Sequence, residues 1–399
     1  MKSLYFIVIL FLYLSSNTVA KESRIFLEGY INGKPVKLIL DTGATGPTLF
    51  RPAVKRLKLS IERPPANVKV EKGLVRYALT EKCKFQMVEG GTESTLNFAV
   101  IDVPDFLTRD IDGAMGWGGF GHMMIELNSN LRKVKIRNKL EFDKSEWKCL
   151  DIRKDINVLV VNTSSKDKTR DCFLIDTGSP DGLTVGGELW DKLVGGEITN
   201  KTTLSASYMP GVGLTVNKEN WLEKIDLGGL QLCDIPVKRG MDSLKVYTDL
   251  GVDGILGMWA LSCYSWILDG ENGKVYYKKN ELVRIPEKYE YNRLGAVFVP
   301  EDIRTSNSLL AHVVKDGPAY KAGIRDGDEL LKIGRLDVTK WRTDRNVLPL
   351  GRFWSNPAGT KVELLLKQNG KIKELSVTLK EIFKNDTVMT TKDPKKINS

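Results

Sequence analysis

Residues 30–43 read Tyr-Ile-Asn-Gly-Lys-Pro-Val-Lys-Leu-Ile-Leu-Asp-Thr-Gly. The apolar positions on either side of Asn-Gly predict two strands joined by a tight turn, the second running directly into Asp41, Thr42 and Gly43. Residues 157–178 follow the same plan, with Asn-Val-Leu-Val-Val-Asn, a polar turn, and Cys-Phe-Leu-Ile leading into Asp176, Thr177 and Gly178. A second echo follows each. Asp-Gly-Ala-Met-Gly at residues 112–116 matches Asp-Gly-Ile-Leu-Gly at residues 253–257. Farther on, residues 124–134 and 266–275 each predict a strand, a turn and a strand. Repetition at this spacing predicts two β-rich halves built on one plan.

A third region begins near Tyr291. Leu294, Gly295, Ala296, Val297 and Phe298 read as a strand after a Gly turn, and the apolar run from Leu309 reads as a second. A short helix starts at Pro318, where proline suits a first helical turn. Two further strands around Leu364 and Val377 are joined through Asn369-Gly370, a hairpin signal.

The first twenty residues are read as an address. Lys2 is followed by an apolar run over residues 4–14, then by small and polar residues ending at Ala20. That order predicts a signal peptide cut before Lys21, and the run is short for a membrane span. The expectation is a soluble mature chain exported to the periplasm, the cell surface or the medium, with no integral membrane span. Residues from about 383 onward are polar and predicted to fray.

Composition narrows the classes. A chain of 399 residues, 42% hydrophobic, can bury more than one core. The formal charge of +10 is spread along the sequence without a basic stripe or nucleic-acid motif, so it reads as a solvated surface and predicts no nucleic-acid partner. Five cysteines form no close pair of the kind that binds zinc; an odd count leaves one thiol unpaired, and Cys233 with Cys263 is a possible bridge. Only His122 and His312 exist, so a His-based triad or multi-His metal site is poorly supplied. No metal and no cofactor are expected.

The paired Asp-Thr-Gly motifs and their downstream apolar-apolar-Gly partners resemble the pepsin-like and retropepsin-like aspartic peptidases over roughly residues 24–280. The stretch from Asp41 through Phe50, with Ala53-Val-Lys-Arg-Leu-Lys-Leu after it, is most similar to the retropepsin-like branch. The resemblance implies a mainly β fold, a bilobal double β-barrel, with one catalytic aspartate per lobe: Asp41 and Asp176. It implies that Thr42 and Thr177 brace the two loops, and that Gly43 and Gly178 let backbone amides approach the carboxylates, with Ser179 supporting the second loop. Both motifs lie in one chain, so the expectation is a monomer acting on a protein or peptide substrate. Tyr77 and Tyr208 are candidates for hairpin flaps over the cleft. Trp117 and Trp259 follow the apolar-Gly motifs and are expected to pack in the core.

Two carboxylates held close share one proton, because like charges raise one pKa. The ionised member can activate water while the protonated one donates to a peptide carbonyl. Ala44 stands where pepsin-like enzymes carry a Ser or Thr, whereas Ser179 keeps the hydroxyl, so the dyad is expected to be asymmetric and its optimum less acidic than a digestive pepsin's. Residues 289–382 resemble a PDZ domain, a small β/α module that takes an extended peptide or C-terminus as an added strand. Leu294, Gly295 and Ala296 fall at the position of its carboxylate-cradling loop. The expected boundaries are 1–20 for the signal peptide, 21–150 and 151–288 for the lobes, 289–382 for the PDZ-like domain and 383–399 for a disordered tail. The competing function is a non-catalytic exported peptide-binding or scaffold protein on the same fold.

Overall fold

The computed structural model describes residues 24–383 apart from 71–72, 89–92, 109, 129–132, 138, 140, 165–169, 196–200, 211 and 281–288. The expected signal peptide and tail, save Phe383, lie outside the described residues. Strands dominate, in three sheets. Among the described residues no helix is long and apolar enough to cross a membrane.

The first sheet draws its nine strands from residues 26–101 and 113–116. Its centre is the strand Lys34–Asp41, which pairs antiparallel with Phe26–Ile31 and parallel with Gly113–Gly116. Thr48–Phe50 runs antiparallel to Gly113–Gly116 and parallel to Ala99–Ile101. Gly73–Thr80 then pairs with Ala99–Ile101 and forms a hairpin with Ile61–Val70.

The second sheet repeats that order and those directions. Arg170–Ile175 pairs antiparallel with Val160–Ser164 and parallel with Gly254–Leu256. Leu183–Val185 runs antiparallel to Gly254–Leu256 and parallel to Leu230–Arg239. Gly213–Leu227 pairs with Leu230–Arg239 and forms a hairpin with Thr203–Met209. Seven strands therefore occur in the same sequence in both sheets. The downstream echoes also meet: Met124–Asn128 pairs antiparallel with Tyr264–Asp269, with Leu127 opposite Trp266, and so joins the halves.

Strand periodicity decides which face each central residue serves. Val36, Leu38 and Leu40 point into the main core, together with Phe173 and Ile175 of the second half. Ile39 and Leu174 point the other way, into two separate clusters, and Asp41 and Asp176 follow them two residues on. Each aspartate thus sits at the end of an apolar strand, on the face opposite to the main core. Trp117 is buried edge-on to Phe120, while Trp259 is half-buried against Trp221 and Tyr289.

The third sheet is small. Ala296–Val299 forms one edge, followed by Leu309–Val313, Glu329–Ile333 and the hairpin Lys361–Gln368 with Lys371–Thr378. The hairpin turns at Asn369 and Gly370, whose φ values of 47° and 80° are those an Asn-Gly turn supplies at low strain. Short helices at Pro318–Lys321 and Gly351–Trp354 complete the module. All five cysteines are free thiols, so the Cys233–Cys263 bridge is not formed; Cys233 is exposed, and folding relies on the apolar cores.

Candidate active site

The two Asp-Thr-Gly loops meet at the junction of the sheets. Thr42 donates its N–H to Thr177 Oγ1 at 3.1 Å, and Thr177 returns the bond to Thr42 Oγ1 at 3.1 Å. The Thr42 hydroxyl donates to the Ile175 carbonyl at 2.5 Å, and the Thr177 hydroxyl to the Leu40 carbonyl at 2.7 Å. Each threonine thus satisfies a buried amide and a buried carbonyl of the opposite half. Loss of such a partner leaves a polar group unsatisfied at about 1–3 kcal/mol. This reciprocal lock ties the loops together.

Gly43 and Gly178 hold the carboxyls close. A Cβ on Gly43 would lie 2.8 Å from Asp176 Cγ, and one on Gly178 would lie 2.6 Å from Asp41 Cγ. Either methyl would collide with the opposing carboxyl, so the close approach requires glycine in both loops.

Asp41 and Asp176 are both fully buried. Gly43 N–H donates to Asp41 Oδ1 at 3.0 Å. Asp176 Oδ1 accepts two amides, Gly178 at 2.8 Å and Ser179 at 3.1 Å. Ser179 therefore supports Asp176 through its backbone N–H, and its hydroxyl accepts the Asp181 N–H instead. The amide of Ala44 donates to the main-chain carbonyl of Asp41 rather than to its carboxyl.

The outer oxygens, Oδ2 of both aspartates, meet no N–H or O–H donor among the described residues. Two neighbouring buried carboxylates, each with an unpartnered oxygen, would be strongly unfavourable if both were ionised. A proton between them resolves the conflict. Burial pushes the Asp41 carboxyl well above the usual range, and the Asp176 charge adds to the rise. Burial raises Asp176 as well, but its two amides and a hydrogen bond from Asp41 oppose the rise. The guanidinium of Arg24, itself buried, lowers both. The carboxyls are therefore unequally supported, with two backbone donors on Asp176 Oδ1 and one on Asp41 Oδ1.

The candidate flap residues have different settings. Tyr77 lies in the strand Gly73–Thr80, opposite Ala66 in the hairpin and Ile101 on the other side; its side chain lies outside the described residues. Tyr208 lies near the end of the strand Thr203–Met209 and is buried with Ile39, Phe50 and Ile101 of the first lobe. Burial raises its phenol, with Arg304 opposing. Leu294 and Ala296 are fully buried, and the amides of Leu294 and Gly295 are already donated to the Asn292 side chain.

Tyr247 also belongs to the site, though no sequence motif marks it. It is fully buried, its hydroxyl donates to the Gly43 carbonyl at 3.3 Å, and burial and the dyad's charge raise its phenol well above the ordinary value. It lies 204 positions from Gly43, with no local motif to mark it.

No curated protein matches this chain. Residues 27–117, which carry Asp41, its loop and the strand ending at Gly116, match the family model of aspartyl proteases, and the match supports aspartyl-protease activity at the level of that family.

Proposed function

We propose that this chain is an exported aspartic endopeptidase whose dyad, Asp41 and Asp176, is completed within one molecule. The observation that carries the reading is the paired burial of the two carboxyls, each lying against the other loop's glycine, with no N–H or O–H donor for either outer oxygen among the described residues. Asp176 takes a proton from the attacking water, and protonated Asp41 donates to the carbonyl oxygen of the scissile bond. The catalytic unit comprises two lobes, residues 21–150 and 151–288. Residues 289–382 form a PDZ-like module that recognises a peptide or its C-terminus.

The test is hydrolysis of an unfolded protein by purified protein, alongside Asp41→Asn and Asp176→Asn, with and without a pepstatin-type inhibitor. Wild-type cleavage that both substitutions abolish supports the reading. The complete burial of the dyad favours a second reading, a peptide-binding protein without activity. Absence of cleavage across pH 3–8, a span covering ordinary carboxylate titration, together with retained peptide binding, supports that alternative.

A further inference from the structure

The side chain of Asn292 bridges the C-terminal module and the hairpin Thr203–Met209 with Gly213–Leu227. Asn292 Oδ1 accepts the N–H of Leu294 at 2.9 Å and of Gly295 at 3.3 Å. Its Nδ2 donates to the Leu204 carbonyl of the hairpin at 2.9 Å and to Ala296 O at 2.8 Å. Its main-chain carbonyl accepts the Thr203 hydroxyl at 2.6 Å. Beside it, Val297 and Val299 pack against Ala206, on the face of the edge strand opposite to Ala296 and Phe298.

The same module grips the hairpin farther along and also holds the first lobe. Trp221 packs against Tyr289 and Phe383, and the Tyr289 hydroxyl donates to Glu219. Arg304 donates to the Asp102 carbonyl at 2.9 Å, and Phe106 meets Trp341 edge-on.

The held hairpin bears on the dyad. Adjacent residues of a strand point to opposite sides. Tyr208 enters the cluster containing Ile39, on the Asp41 side, and Met209 enters the cluster containing Leu174 and Tyr247, on the Asp176 side. Through Met209 the hairpin end shares a cluster with Tyr247, whose hydroxyl reaches the Gly43 carbonyl beside the two fully buried aspartates.

We infer that the C-terminal module latches this hairpin through Asn292, and that a peptide C-terminal carboxylate entering the Leu294–Gly295 cradle releases it. A carboxylate accepts those two amides more strongly than a neutral amide oxygen does. It has no N–H to offer the Leu204 carbonyl, so filling the cradle removes the tie to the hairpin. Occupancy of the cradle and capture of the hairpin then oppose each other, reciprocally. What opening achieves rests on the peptidase reading above; the latch itself does not.

The test uses the full chain and reads amide hydrogen exchange over residues 203–209 and 213–227, with hydrolysis followed in parallel. Asn292→Ala removes both ties, and Asn292→Asp keeps the acceptor for the cradle amides while losing the donor to Leu204. Each is expected to speed exchange in the hairpin about two- to tenfold, the scale of one or two hydrogen bonds, with the other strands unchanged. A short apolar peptide with a free C-terminus is expected to do the same to the wild type, and its C-terminal amide is not. Thr203→Val, which removes one hydroxyl, guards against global unfolding of the Asn292 variants and should give a smaller local effect. Unchanged hairpin exchange in the variants, uniform acceleration across the chain in all three, or equal effects of acid and amide peptides would each overturn the latch. Local release without hydrolysis in any form leaves the latch standing and removes the peptidase reading instead.

Discussion

Asp41 and Asp176 end equivalent strands in sheets of the same order, yet their carboxyls have unequal surroundings. Asp176 Oδ1 accepts two backbone amides, and Asp41 Oδ1 accepts one. The loop after Asp176 brings the Ser179 N–H within reach of the carboxyl, whereas the Ala44 N–H stops at the main-chain carbonyl of Asp41. Both groups are raised by burial, and the additional donor favours ionisation of Asp176. Near-symmetry brings the carboxyls together, and a small break in it makes them unequal.

The strongest way to break this comparison is to neutralise each member. Asp41→Asn and Asp176→Asn are each expected to lower hydrolysis by at least about 10²–10⁴-fold, the range for loss of a general acid or base. They should also change stability in a signed way. Both folded-state pKa values are raised, so the carboxyls favour the fold below the unfolded carboxylate pKa and lose that contribution as pH rises through the raised values. Either Asn variant should therefore gain thermal stability relative to wild type at neutral pH and not near pH 4. A pH-independent difference in melting temperature would contradict the buried shared proton. The pH–rate maximum is expected above the pepsin range, and one below about pH 3 would count against the raised pair.

Next in size are the glycines. Gly43→Ala and Gly178→Ala drive a methyl into the opposing carboxyl and should each cost about 1–3 kcal/mol in denaturant unfolding, with near-complete loss of hydrolysis. A variant with unchanged activity would show that the carboxyls need not lie so close.

Thr42→Val and Thr177→Val test the symmetric part. Each leaves one buried amide and one buried carbonyl without its partner, so both should destabilise by about 1–3 kcal/mol and by similar amounts. A large inequality in unfolding midpoints would mean that one loop bears most of the lock.

Ser179→Ala is expected to have the smallest effect. The amide that supports Asp176 survives, so the pH–rate profile should move by less than about half a unit, below the shift expected of a lost hydrogen bond to a charged group. A larger displacement would return the role to the hydroxyl.

Much of this fold was legible because its signals are local. Asn32 and Gly33 turn with φ values of 48° and 77°, as the Asn-Gly pair between two apolar runs predicts. The alternation through Leu38, Ile39, Leu40 and Asp41 fixes which residues share a face once the strand forms. The echoes at residues 112–116 and 253–257 become the strands that run parallel to the two Asp-bearing strands. The Asn369-Gly370 hairpin of the third sheet was equally direct.

Other features depend on contacts between distant segments. Tyr247 reaches Gly43 from 204 positions away, and Asn292 reaches Leu204 from 88. Tyr208 could be singled out as a flap residue, but not its burial in a cluster shared by the first sheet and the third. The cysteine count allowed a bridge that the structure does not form. The sequence by itself determined the strands, the turns and the two Asp-Thr-Gly loops, because these follow from backbone preference and a two-residue period. Only the tertiary structure decided how unequally the two carboxyls are hydrogen-bonded and which distant residues pack around them. Those outcomes depend on how separately formed sheets pack, where a displacement of about an ångström makes or removes a buried hydrogen bond.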